Sequence, residues 1–200
     1  MTEREEFLDY VFPILRYHSR WSELNGEDLT YMFDTPNVAF NGYYMRVEIK
    51  PAENVPEGKI LGNYQFGENS YLYLDKMTKL CKDNDIELIF VKAPSLYPYW
   101  YPEWEEQIEQ YAHKHGVRYI NFLELTEEIG IDFTKDTYDA GLHLNLTGAE
   151  KITRYLGEVL ATQVGLEDRR EDAKMKQIWE GKIKAYEEEI IRQYEKYGMN

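Results

Sequence analysis

A parallel α/β fold, with helices flanking the sheet and one further helix appended at the C-terminus, is what this sequence predicts. Three observations carry that expectation. Two short apolar runs, Ile86–Val91 and Val117–Asn121, have strand character. Amphipathic helical patterns stand before, between and after them, and parallel neighbours need such crossover helices to cover their sheet. The length, 200 residues with 43% hydrophobic content, suits one core plus an appended helix better than two independent domains.

Taken in order, residues 3–24 read as a helix, with Phe7, Val11, Ile14, Leu15 and His18 on one stripe and Pro13 kinking or restarting it. Residues 25–69 read as loops and short extended pieces, because Asn25-Gly26, Asn41-Gly42, Pro51, Pro56, Gly58, Gly62 and Gly67 punctuate them. One strand candidate, Tyr43–Ile49, lies among them. A helix follows from Ser70, with Tyr73, Leu74, Met77, Leu80 and Cys81 as its apolar face, and Ser70 reads as its N-cap. After the first strand, Pro94 and an aromatic loop through Tyr97, Tyr99, Trp100 and Tyr101 lead into a helix carrying Trp104, Ile108, Tyr111, Ala112 and His115, which Gly116 stops. Thr147-Gly-Ala-Glu150 has capping-box spacing, so a helix is expected to start there and run to Gly165. Residues 167–197 repeat Ile178, Trp179, Ile183, Tyr186, Ile190 and Tyr194 at three- and four-residue steps. That face either lies on the domain or meets a partner. The organisation expected is a domain over residues 1–166 and a charged amphipathic helix over 167–200.

The balance of 37 acidic against 23 basic residues, a formal charge of −14, repels nucleic-acid backbones and anionic lipid surfaces, so nucleic acid is not expected as a partner. A single cysteine, Cys81, excludes an intrachain disulfide framework and a cysteine-rich metal site, and reads as a core residue. The start, Met1-Thr-Glu-Arg-Glu-Glu, has no export-signal pattern, and no segment reaches the roughly 18 apolar residues of a membrane span. His113 and His115, two apart on a helix, cannot form the i, i+4 pair of a helical metal site. His18-Ser19-Arg20-Trp21 places its serine and histidine side by side, where they do not face each other.

The segment Asp136-Thr-Tyr-Asp139-Ala-Gly-Leu-His143-Leu-Asn145 holds the chemistry. An imidazole acts as general base for a serine when a carboxylate fixes its tautomer and stabilises the imidazolium. Asp139 and His143 have that arrangement, and Asn145 reads as structural. Here the chain resembles the SGNH/GDSL hydrolase superfamily, whose last motif is an Asp-x-x-His loop just before the final helix. The run His143-Leu-Asn145 followed by Gly148-Ala-Glu-Lys-Ile-Thr-Arg-Tyr-Leu156 is similar to bacterial envelope-associated members. Pro13–Trp21, Phe90-Val-Lys-Ala-Pro94 and Gly165–Arg170 with Trp179 echo the same proteins, so the likeness covers most of the chain. It implies a partial three-layer, flavodoxin-like parallel sheet, a cell-envelope setting, and His143 as base with Asp139 as its orienter.

Two departures from the family pattern matter. The spacing here is Asp-x-x-x-His, which leaves open whether Asp139 or Asp136 holds the imidazole. The nucleophile motif, a Gly-Asp-Ser-like turn after the first strand, and the oxyanion-hole motifs have no counterpart. Gly67-Glu-Asn-Ser70 follows no buried strand; Ser95 follows one but lacks the glycine turn that exposes a nucleophile. Asn84-Asp85 mimics an oxyanion pair but precedes its strand. The resemblance therefore implies the later half of a serine esterase or O-acyltransferase acting on acylated carbohydrate or another small ester. That chemistry requires neither metal nor organic cofactor. The serine would come from an upstream segment or a complementing polypeptide, and a thin sheet with open edges invites that completion or homo-oligomerisation. A competing expectation is a non-catalytic carbohydrate-binding or protein-interaction module that uses the aromatic loop from Tyr97 to Trp104.

Overall fold

A computed structural model of the chain describes residues 40–198. The helix expected over 3–24, with its His18–Trp21 cluster, lies outside the described residues. The chain divides into two compact units, Met1–Tyr44 and Met45–Asn200. Of the first, the description covers a 3-10 turn at Phe40–Gly42 and the two residues after it. The second is a mixed α/β unit whose described residues hold five α-helices and one two-stranded parallel sheet.

Strands β1 (Ile89–Lys92) and β2 (Arg118–Asn121) pair in parallel, with Phe90 opposite Tyr119 and Val91 opposite Ile120. Helix α1 (Glu68–Asp83) precedes β1, and α2 (Pro102–His115) is the crossover between the strands. Because successive strand side chains point to opposite faces, Phe90 and Tyr119 serve one face and Ile89 and Ile120 the other. On the first face Phe90 packs with Tyr111 and Ala112 of α2 and with Tyr71 and Leu74 of α1. On the second, Ile120 and Phe122 pack with Ile152, Leu156 and Val159 of a later helix, α4 (Leu146–Val159). Between β2 and α4 runs a one-turn helix, α3 (Thr126–Ile129), unanticipated from the sequence because its apolar residues are too few to set a period. Helix α5 (Ala173–Tyr197) closes the chain, capped by Asp172 at its start and by Gly198 in the left-handed region at its end.

Four local expectations need correction. Tyr43–Ile49 is not a strand. Met45 and Val47 are buried alternately, as in a strand, but the backbone bonds only at scattered points, with Arg46 O accepting from Leu146 N at 2.7 Å and Lys50 N donating to Thr137 O at 2.8 Å. Ser70 is not the N-cap of α1; the helix starts two residues earlier, after Gly67, and Ser70 is exposed in its first turn. The apolar stripe of α1 is split, since Leu74 is packed while Tyr73, Met77 and Leu80 are exposed and Thr78 is the buried residue. Tyr111 explains this: its hydroxyl donates to Asp75 Oδ1 at 2.7 Å and lies 3.3 Å from Thr78 Oγ1, so α1 turns a polar seam toward α2. Finally, α4 begins at Leu146 with Asn145 as its cap, one residue before Thr147. It passes into a π turn, Leu160–Val164, that ends at Gly165 (φ 75°), where the sequence placed the stop.

Candidate active site

The loop from Thr137 to Leu144 is a short hairpin. Thr137 and Leu144 form an antiparallel bridge, and the chain reverses through Ala140 (φ 67°) and Gly141 (φ 101°). Glycine is needed at 141 on two counts: the left-handed backbone, and a Cβ that would stand 2.9 Å from Leu96 and 3.0 Å from Ala52. Three anchors hold the turn. Ala140 N donates to Lys50 O at 3.2 Å, Leu96 N donates to Gly141 O at 2.8 Å, and the Tyr97 hydroxyl donates to Asp139 O at 2.5 Å. Leu96 and Tyr97 belong to the loop leaving the C-terminal end of β1. The hairpin is thus docked at the end of the sheet where sites in open α/β folds form.

Asp139 uses both carboxylate oxygens on His143. Oδ1 accepts the His143 backbone N–H at 2.7 Å, and Oδ2 lies 2.5 Å from the ring Nδ1. The two contacts fix the ring's orientation and engage Nδ1, so Nε2 is directed away from the carboxylate. The histidine side chain is 59% exposed while that of Asp139 is 27% exposed, so the imidazole faces solvent and its partner is partly covered. The Tyr138 ring stacks on the imidazole, centroids 5.8 Å apart and planes 10° from parallel, and the Arg46 guanidinium sits 5.1 Å over that tyrosine. Arg46 in turn pairs with Glu48, whose carboxyl is pushed up by burial yet held below its ordinary range by Arg46 and Tyr197.

Asp136 has a different task. It is 2% exposed, and its carboxylate accepts from Asp132 N at 2.7 Å, Thr147 Oγ1 at 2.8 Å and Lys151 Nζ at 2.6 Å. Burial alone would raise its pKa, but these donors outweigh it and hold the carboxyl below the usual range. Of the two carboxylates the spacing left open, Asp139 contacts the imidazole and Asp136 ties the hairpin to α4. Asn145 is structural, as expected. It is 1% exposed, accepts from Gly148 N, and donates through Nδ2 to Lys135 O at 2.7 Å and Glu48 O at 3.2 Å.

The chain has four serines, of which Ser70 and Ser95 are among the described residues, and neither hydroxyl bonds His143. Beside Ser95 at the end of β1 stands Lys92, whose pKa is lowered by burial although Glu105 opposes that shift. Its Nζ donates to Ala93 O at 2.5 Å and lies 5.5 Å over the Trp100 ring. Glu105 Oε2 accepts from Trp100 Nε1 at 2.5 Å and from the Tyr119 hydroxyl at 2.8 Å, and burial with this acidic neighbour pushes that phenol far up. This network fixes the aromatic loop on α2 and β2. Sequence reasoning named Tyr97 and Trp100 only as members of the aromatic loop, and missed this network and Tyr138; the signal available was their position just after a strand end or beside the Asp/His pair. Asn84-Asp85 stands at the opposite end of β1, where Asn84 Nδ2 donates to Leu80 O at 2.8 Å.

The aromatic loop also borders a cleft of about 460 Å³ lined by Gly58, Lys59, Tyr64, Tyr99, Tyr101 and Glu103. Tyr101 packs edge-on against Tyr64 and Tyr99 with centroids 5.1 and 4.9 Å apart, and a Cβ at residue 58 would stand 2.6 Å from the Tyr99 ring. Among the described residues no cluster of His, Cys, Asp or Glu is arranged to hold a metal ion, and no helix is long and apolar enough to cross a membrane. Comparison with family models, with curated proteins and with solved structures gave no match in any of the three.

Proposed function

We propose that this chain carries the Asp/His half of an SGNH/GDSL-type serine esterase or O-acyltransferase acting on acylated carbohydrate, with β1 and β2 as part of a flavodoxin-like sheet. The observation that carries the reading is the double hold of Asp139 on His143, at the C-terminal end of the sheet, with the imidazole open to solvent. In the reaction His143 Nε2 takes the proton of a serine hydroxyl as its oxygen attacks the ester carbonyl. Asp139 stabilises the imidazolium, which then protonates the departing sugar oxygen. Water or an acceptor hydroxyl releases the acyl group by the same steps in reverse order. The serine and the oxyanion donors come from residues other than 40–198, on this chain or on a second polypeptide.

The test is a fluorophosphonate probe on the purified chain, with peptide mapping of any labelled serine and His143→Ala and Asp139→Asn as controls. Labelling that falls at least about 100-fold in both variants supports the proposal. Labelling indifferent to His143 overturns it.

A second reading, a carbohydrate-binding module on the same fold, draws on the cleft of Tyr64, Tyr99 and Tyr101, whose aromatic walls with Lys59 and Glu103 at the rim suit a sugar ring. Absence of labelling together with saturable binding of acetylated oligosaccharides, abolished by Tyr99→Ala, would select it over the enzyme.

A further inference from the structure

The two halves of α5 are unlike. Toward its C-terminus the helix is docked, with Tyr186, Ile190 and Tyr194 half-buried and Gln193 Nε2 donating to Met45 O at 2.9 Å. Toward its N-terminus the same face continues as Met175, Trp179 and Ile183, at four-residue steps, with Trp179 47% and Ile183 53% exposed. These three residues form the floor of an open apolar groove of about 770 Å³ beside Arg169 and Arg170. An apolar seam left this open on an otherwise charged helix wants a partner rather than solvent.

The charges beside the seam identify the occupant. One flank of the helix carries Lys176, Glu180, Lys184 and Glu187, spaced by four, four and three residues and alternating in sign. In an antiparallel helix pair each flank faces its own copy in reverse order, so a pattern that reads + − + − meets − + − +. We propose that α5 pairs with α5 of a second copy of this chain, antiparallel, about a two-fold axis between Gly181 and Lys182. Lys176 then faces the partner's Glu187 and Glu180 faces the partner's Lys184, each contact occurring twice. Trp179 lies against the partner's Ile183, with Met175 closing each end of the seam. The Lys182 ammonium lies 4.9 Å over the Trp179 ring. A helical stretch of about 20 Å buries less than a standard interface, so the dimer is weak and depends on concentration. The inference is independent of the proposed chemistry, since the groove lies outside the Asp139/His143 hairpin.

Sedimentation velocity on the full chain, from about 1 to 300 μM at about 0.15 M salt, where the repulsion between two copies of charge −14 is screened, reads this directly. The wild type is expected to move from monomer to dimer across that range. Glu187→Lys brings like charges together twice and should weaken the dimer about tenfold. Combining it with Lys176→Glu restores opposite charges and should return the affinity to within about threefold of wild type. Lys176, Trp179 and Glu187, the positions substituted in these tests, are all exposed, so circular dichroism should be unchanged. A monomer at every concentration overturns the proposal. So does a dimer indifferent to both Glu187→Lys and Trp179→Ala, or a charge-swapped chain no tighter than Glu187→Lys alone.

Discussion

Asp136 and Asp139 lie three residues apart and do opposite work. Asp136 is buried among three donors, one of them charged, so Asp136→Asn removes the anion facing Lys151 and turns an amide N–H toward one of those donors. The expected cost is about 2–3 kcal/mol in denaturant unfolding, because Lys151 is partly solvated and the pair is not wholly dry. Asp139→Asn, with a more open partner, should change stability by less than about 1 kcal/mol while losing the serine reactivity that the proposed chemistry assigns to it. A variant pair with the reverse pattern would put the orienting carboxylate at 136. The sequence showed both acids and the histidine, and left their order open because a one-residue change in loop spacing is absorbed by backbone turns that letters do not reveal. Here Ala140 and Gly141 absorb it, through two successive left-handed residues.

At the scale of the element, the start of α4 is where sequence and structure come closest. A helix was legible from the periodicity of Ile152, Leu156 and Val159, whereas its cap was assigned to Thr147 because Thr147 and Glu150 have capping-box spacing. Asn145 takes the cap because its side chain also donates to two carbonyls, Lys135 O and Glu48 O, the latter 97 residues away in the chain, which no local pattern encodes. Asn145→Ala should therefore cost about 2–4 kcal/mol, above the ordinary ~1 kcal/mol of a lost cap. Asn145→Asp, which can cap, should not recover it, since a carboxylate facing two carbonyls has no hydrogen to give; recovery in thermal unfolding would show the cap alone to matter. Gly148 reinforces the joint, because a Cβ there would stand 2.6 Å from Asp136 O. The strand expected at Tyr43–Ile49 misled for a related reason. Alternating burial of Met45 and Val47 was readable, but whether an extended segment finds a ladder partner depends on distant chain, and this one found a helix cap and a hairpin.

Across the whole molecule, acidity and burial pull stability in different directions with pH. Asp136, Glu48 and Glu189 have pKa values held below their ordinary 3.8 and 4.5. Each contributes stability that is present above its unfolded pKa and lost as the pH falls through the lower, folded one. The charge of −14, by contrast, repels itself at neutral pH and is relieved toward the isoelectric point near 4.8. The melting temperature should rise from pH 8 to about 5 and drop below about 4, and Asp136→Asn should make that acid limb shallower. A flat profile from pH 8 to 5 would mean the net charge is too diffuse to matter. The order in which the chain is made adds a constraint of its own. Among the described residues, Arg46 to Ala52 find their backbone partners at Phe133, Thr137, Ala140 and Leu146. At about 5–20 residues per second of synthesis, these residues wait several seconds for the stretch of chain that receives them. The Asp139/His143 hairpin is therefore completed late in translation, and a ribosome paused before residue 133 holds a nascent chain whose residues 46–52 still lack these backbone partners.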